Sequence, residues 1–240
     1  MKLDVLVFAA HPDDAELSMG GTIAKLTKEG KKVGIIDITR GEMGSRGTAE
    51  TRKAEAEKAS EILGINYREN LGFPDGNVRY DENIRKTAVT LIRKFQPEVL
   101  FAPYFNDRHP DHIGASEIVK NSWFTTGVYK YETEENGQPQ KPYRPKKLYY
   151  FAQSYEFAPS FIVDISDTFN IKMDAVRAYS TQFHNPAVAG PVTFISKPGF
   201  INFLESRSQV AGFKIGKDYG EPFFCEEAIE LDINNLLAGS

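Results

Sequence analysis

Residues 3–26, LDVLVFAAHPDDAELSMGGTIAKL, decide how the chain is read. Leu3–Ala9 is a compact apolar run, the composition of a strand covered on both faces. A polar, acidic turn follows at once. Leu17, Ile23, Ala24 and Leu26 then recur at helical spacing until Gly30 closes the stretch. Strand, tight turn and helix in this order form the opening unit of a parallel α/β sheet.

The same rhythm continues outward. Lys32–Thr39 (KVGIIDIT) predicts a second buried strand, and the alanine-rich, charged Ala49–Leu63 a helix ending at Gly64. Tyr67–Phe73 reads as a short strand, and Pro74-Asp75-Gly76 as a turn. Glu82–Phe95 is an amphipathic helix with Pro97 beyond its end. Glu98–Pro103 (EVLFAP) is a further buried strand and Ile113–Thr125 a further helix. The polar, Pro-rich 129–147 reads as a surface loop. Strands are expected over Lys147–Gln153 and Phe161–Ile165, and helices over Phe169–Tyr179 and Pro198–Gly212. With no internal repeat, residues 1–240 read as one α/β domain with a more irregular C-terminal third. The expected architecture is Rossmann-like: a mostly parallel sheet with helices on both faces. A 3-2-1-4 strand order would set the first and fourth strands side by side, with a ligand crevice at their carboxyl ends.

Composition narrows the function. A net charge of -4 gives no reason to expect a nucleic-acid partner. No apolar run is long enough to span a bilayer, so no membrane partner is expected. The single cysteine, Cys225, admits no intrachain disulfide, and the N-terminus lacks a secretory pattern; both suit the cytoplasm. Cys225 itself reads as a small buried hydrophobe.

Three of the four histidines fall in two related segments. Ala10-His11-Pro12-Asp13-Asp14-Ala15-Glu16 follows the first strand, and Asp107-Arg108-His109-Pro110-Asp111-His112 follows the fourth. The topology brings these two segments together. Zinc takes imidazole nitrogen and carboxylate oxygen in tetrahedral array, and a catalytic site leaves one position for water. His11 and Asp14 supply two ligands from one turn, and His112 or His109 a third. Such a metal polarises an amide carbonyl and acidifies its water, from which Asp13 can take the proton. The remaining histidine can stabilise the oxyanion or protonate the leaving amine. Asp13 and Glu16 could instead form a capping box, and Glu16 is better read as a cap or as support. His184 has no such company and reads as structural or peripheral.

On these residues the chain resembles the LmbE-like, or PIG-L, family of N-acetylglucosaminyl deacetylases. Its Ala-His-Pro-Asp-Asp-x-Glu segment is intact at 10–16, and its His-Pro-Asp-His segment lies at 109–112. Residues 31–52, 70–76, the Arg-Pro at 144–145 and 161–183 look like the bacillithiol-pathway branch. The resemblance implies His11, Asp14 and His112 as zinc ligands, a set that ferrous iron also tolerates. It implies Asp13 as general base and His109 as the assisting histidine. Arg52 matches a sugar-binding arginine, and Asp75 a carboxylate able to accept sugar hydroxyls. The implied substrate is an N-acetyl sugar conjugate, N-acetylglucosaminyl malate, whose carboxylates would need cations. Arg52, Arg108 and, more weakly, Arg46 lie on suitable loops, as do Asn106 and Glu42. A tyrosine used by some relatives as an oxyanion donor has no clear counterpart. Relatives that assemble into rings make a homo-oligomer the expectation, with the aromatic 149–161 a candidate interface.

Other readings are weaker. A nucleotide-binding protein needs Gly-x-Gly-x-x-Gly at the first turn, where this chain has acids. A structural, non-catalytic zinc site is usually closed by four ligands, often cysteines. Within the enzyme class, a deacetylase for diacetylchitobiose or another N-acetyl sugar is the rival reading.

Overall fold

The computed structural model describes residues 1–230. Its elements are β1 (Val5–Ala9), α1 (Asp14–Lys28), β2 (Val33–Thr39), α2 (Ala49–Leu63), β3 (Tyr67–Phe73), α3 (Glu82–Phe95), β4 (Val99–Pro103) and α4 (Pro110–Thr126). A two-stranded hairpin follows, β5 (Glu134–Glu135) with β6 (Gln138–Pro139). Then come β7 (Lys147–Phe151), β8 (Phe161–Asp164), α5 (Phe169–Ala178), α6 (Gly199–Phe213) and β9 (Gly220–Phe224). The main sheet has seven strands in the order β3-β2-β1-β4-β7-β9-β8. Strands β1 to β4 and β7 pair in parallel, and β9 runs antiparallel to both β7 and β8. The expected 3-2-1-4 order is present, and the mostly parallel α/β reading holds.

Strand β1 shows why its apolar run is continuous. Val5, Val7 and Ala9 enter one core, with residues of α1, α2, α5 and α6. Leu6, Phe8 and Ala10 enter the other, against α3 and α4. Successive side chains point to opposite faces, so a central strand covered on both sides has no place for polar residues. Leu6 and Phe8 are fully buried, each contributing about 1.5–3 kcal/mol of transfer free energy.

Three local differences from the sequence reading have physical causes. Helix α4 begins at Pro110, earlier than Ile113, because proline suits the first helical position and His109 caps it through its ring. The 129–147 loop contains the β5–β6 hairpin, turned by Asn136 and Gly137 at positive φ. Strand β9 goes unpredicted because Glu221 and Pro222 interrupt its apolar pattern.

Helix α1 is two helices joined at Met19, whose φ of -142° and ψ of 20° are not helical. Just beyond the break lie the N–H groups of Gly21 and Thr22. The Glu221 carboxylate accepts both, at 3.0 and 2.7 Å. Lys172 of α5 neutralises that carboxylate at 2.7 Å. Of the aromatic 149–161 run, Tyr150 and Phe151 are core residues. Cys225 is buried, as expected. No helix among the described residues is long and apolar enough to cross a membrane.

Candidate active site

The carboxyl ends of β1, β2, β4 and β7 open into one cleft of about 630 Å³. His11, Asp13, Asp14, Arg52, Asp75, Arg108, His109 and His112 all line it. The two His/Asp segments, nearly a hundred residues apart, therefore meet because β1 and β4 are paired neighbours.

The first segment is a constrained turn. Asp13 has φ 109°, a left-handed conformation for a non-glycine residue, which stores about 1–3 kcal/mol of strain. Its carbonyl accepts the first helical bond of α1, from Leu17 N–H. Its side chain makes no capping bond; instead Arg52 of α2 donates to it at 2.7 Å. No capping box forms. Glu16 is fully buried beneath the turn, taking hydrogen bonds from Arg68 and from the Tyr179 hydroxyl at 3.0 Å. Asp14 bends back to accept the His11 backbone N–H at 2.9 Å.

One oxygen of Asp14 is 3.5 Å from His11 Nδ1, and the other is 3.3 Å from His112 Nε2. The outer nitrogen of each imidazole meets a carboxylate. His112 Nδ1 is 2.8 Å from Asp107, and His11 Nε2 is 3.0 Å from Asp75 and 3.3 Å from Asp111. These outer carboxylates are fixed by backbone N–H groups. Asp107 accepts from His109 and Ser154, Asp111 from Gly76 and Val78, and Asp75 from Met43.

The residues fit a divalent cation. One donor atom from each of His11, Asp14 and His112 lies within 4.8 Å of the others; so does one from each of His11, His109 and Asp111. The first trio has an outer carboxylate behind each imidazole, the arrangement that fixes a ligating histidine's tautomer. Negative charge also exceeds positive. Burial disfavours charge on His112, yet Asp14 and Asp107 hold its pKa up at about 9. His11 is likewise raised, against its burial, by Asp111, Asp14 and Asp75. A site that holds protons on two buried imidazoles offers a cation the same attraction.

Asp13 and His109 shift the other way. Burial lifts the Asp13 carboxyl to about 6, against the pull of Arg52. His109 is depressed by burial and by the neighbouring imidazoles. Its Nδ1 accepts the Asp111 backbone N–H at 3.2 Å, which leaves Nε2 as the protonated nitrogen of the neutral ring.

The profile of the family described as PIG-L: GlcNAc-PI de-N-acetylase matches residues 6–123. Diacetylchitobiose deacetylase of Thermococcus kodakarensis is 31% identical over 191 residues, covering 75% of this chain and 70% of that protein. The chain belongs to the PIG-L, or LmbE-like, deacetylase family. Its enzymes are amide hydrolases, and this chain is one of them. The crystal structure of a conserved protein from Thermus thermophilus superposes with a TM-score of 0.85 at 38% identity, covering 96% of this chain and 97% of that one. N,N'-diacetylchitobiose deacetylase from Pyrococcus horikoshii, complexed with its inhibitor, gives 0.78 at 28% identity, with 92% and 82% covered.

Other residues of this PIG-L chain named from sequence fall differently. Asn106 and Glu42 are exposed and do not line the cleft; Glu42 accepts the Asp75 backbone N–H. Arg46 is buried in a structural role, donating to the carbonyls of Thr181, Val188 and Pro191. His184 is exposed and lies outside the cleft. Sequence reading assigns no role to Asp107 or Asp111, although both sit inside the quoted motif, and it overlooks Arg207, which lines the cleft from α6. Tyr155, from the loop after β7, is the one tyrosine among the lining residues.

Proposed function

We propose that this chain removes the acetyl group from an N-acetylglucosaminide, with zinc held by His11, Asp14 and His112 and with Asp13 as general base. The observation that carries the reading is the His11–Asp14–His112 trio with carboxylates behind both imidazoles, beside Asp13 in an open cleft. When bound, the metal supplies Lewis acidity to the amide carbonyl and to the attacking water.

The protein's own groups do the rest. The Asp13 carboxylate, oriented by Arg52, takes the proton from water as its oxygen adds to the acetyl carbon. His109 donates its Nε2–H to the oxyanion that develops. The C–N bond then breaks, the amine leaves with a proton returned from Asp13, and acetate remains. Asp107, Asp75 and Asp111 keep the two ligating imidazoles in place.

For the substrate, resemblance to the bacillithiol-pathway branch favours N-acetylglucosaminyl malate. A second reading, diacetylchitobiose, is favoured by the relatives that carry that name, at 31% and 28% identity. We take residues 1–240 as one catalytic domain, acting in the cytoplasm as a homo-oligomer. The test is acetate release from N-acetylglucosaminyl malate, diacetylchitobiose and N-acetylglucosamine by protein carrying about one zinc per chain. Release from none of the three would sink the reading; equal rates on all three would remove malate as the substrate.

A further inference from the structure

The turn that carries Asp13 is strained, and its own side chains do little to hold it. Asp13 stands at φ 109°, its carboxylate caps nothing, and Arg52 grips only the tip of the side chain. A left-handed non-glycine residue persists where its surroundings over-determine it. Much of that restraint lies beneath the turn, among side chains that do not line the cleft.

Glu16, one helical turn past Asp13, is fully buried. One of its oxygens accepts from Arg68 at 2.5 Å and from the Tyr179 hydroxyl at 3.0 Å. Arg68 comes from the edge strand β3 and also holds Asp37 of β2 through two N–H groups, at 2.7 and 2.9 Å. Tyr179 stands fully buried at the C-terminal end of α5. Burial pushes its pKa well up, against the pull of Arg68, so the hydroxyl remains a donor. A single oxygen atom thus ties the first turn of α1 to β3 and α5 directly, and to β2 through Arg68.

Stability does not account for this arrangement. Among the described residues, Arg68 alone pairs with the two buried carboxylates of Glu16 and Asp37. The second oxygen of Glu16 is buried with no hydrogen-bond partner among them. A well-packed apolar side chain would avoid both penalties, because a buried ion pair seldom out-stabilises one. What an apolar side chain would not do is fix the rotation of the first turn against β3 and α5. Asp13 lies three residues before Glu16, on the same face of the helix, so that rotation sets where its carboxylate points. Tyr179 is close enough to act electrostatically on both Asp13 and Arg52.

We propose that Tyr179, acting through Glu16, is a positioning residue for the catalytic turn: with Arg68, its hydroxyl locks the first turn of α1 so that the Asp13 carboxylate meets the attacking water. This rests on Asp13 as the base of the deacetylase reading, and adds a residue that touches no substrate. A double-mutant cycle tests it, read as acetate release from N-acetylglucosaminyl malate and diacetylchitobiose by fully zinc-loaded protein. Tyr179→Phe should lower kcat by about tenfold or more, since a misplacement of ~1 Å costs a catalytic step on the order of a hundredfold. KM and zinc content should stay unchanged. In an Asp13→Asn background the same change should do almost nothing, because the group it positions is gone. Glu16→Gln, which keeps an acceptor for both donors, should retain part of the turnover that Glu16→Ala loses. Lys172→Met, also on α5 but at the kink of α1, is the control: it lowers stability without this fall in kcat. Wild-type kcat in Tyr179→Phe, or equal losses with and without Asp13, overturns the positioning role and leaves the deacetylase reading standing. No acetate release from either substrate by the zinc-loaded wild type overturns that reading itself.

Discussion

Helix α1 carries two buried charge clusters about two turns apart, and they are built on opposite principles. At its kink, the Glu221 carboxylate meets the N–H groups of Gly21 and Thr22, the Thr22 hydroxyl at 2.6 Å and the Lys172 ammonium at 2.7 Å. Both oxygens are satisfied, and Lys172 offsets the carboxylate's charge at hydrogen-bond distance. At its N-terminus, Asp13, Asp14, Asp75, Asp107 and Asp111 gather around two imidazoles and the single guanidinium of Arg52. Burial costs the first cluster little because it is closed. The second leaves charge uncompensated in an open cleft, which a fold tolerates where a ligand supplies the balance. Buried charge therefore marks a functional site by its imbalance, not by its presence.

If that contrast holds, removing the cation disables one cluster and leaves the other untouched. Chelation, or His112→Ala, should lower turnover by on the order of a thousandfold or more, the loss of several kcal/mol of Lewis-acid stabilisation. Metal analysis should show the His112→Ala variant empty. Asp13→Asn should keep the metal and lose about 10²- to 10⁴-fold in kcat. A variant that keeps both metal and turnover would remove Asp13 from the base role.

The two clusters are not equally legible in the sequence. The N-terminal one is readable because each half is a contiguous motif and the intervening strands are buried on both faces, so their apolar runs announce the topology that joins them. The choice between His109 and His112 is not readable from spacing. The proposed choice of His112 rests on what lies behind each ring: Asp107 behind His112, and a backbone N–H on His109. The closed cluster is invisible in the sequence. It pairs residues 49 positions apart, on a helix and on a strand whose Glu221 and Pro222 break the pattern by which strands are recognised. Arg207 escapes notice for a related reason: on α6 it is one charged residue among polar neighbours, and only the fold turns it toward the cleft.

Breaking the closed cluster should reverse the pattern of effects. Lys172→Met leaves the Glu221 charge buried and unpaired, at a cost of about 3–5 kcal/mol, or a Tm lower by roughly 10 °C. Activity per folded molecule should stay near the wild-type value. Glu221→Gln should cost less, since Lys172, already depressed by burial, can shed its proton. A lysine whose folded pKa lies below its unfolded 10.5 destabilises the protein while protonated. The penalty in Glu221→Gln should therefore fade as pH rises through the folded pKa toward 10.5, as urea unfolding at a series of pH values would show. A penalty independent of pH would mean that lost helix capping, not charge, is the cost.

The smallest effect belongs to a carboxylate at the edge of the open cluster. Burial works against ionised Asp107, but His112 and the N–H groups of His109 and Ser154 override it and hold its pKa at about 2. An acid whose folded pKa is below its unfolded 3.8 stabilises the fold above that value and loses the contribution as pH falls toward 2. The difference of nearly two units corresponds to about 2 kcal/mol. In metal-free protein, Asp107→Asn should therefore be less stable than the wild type by about that much near pH 6, and the two should converge as pH approaches 2. A gap that persists at low pH would assign the loss to hydrogen bonding alone. Convergence would show that the group behind His112 acts through its charge, as expected of a residue placed to hold an imidazole toward a cation.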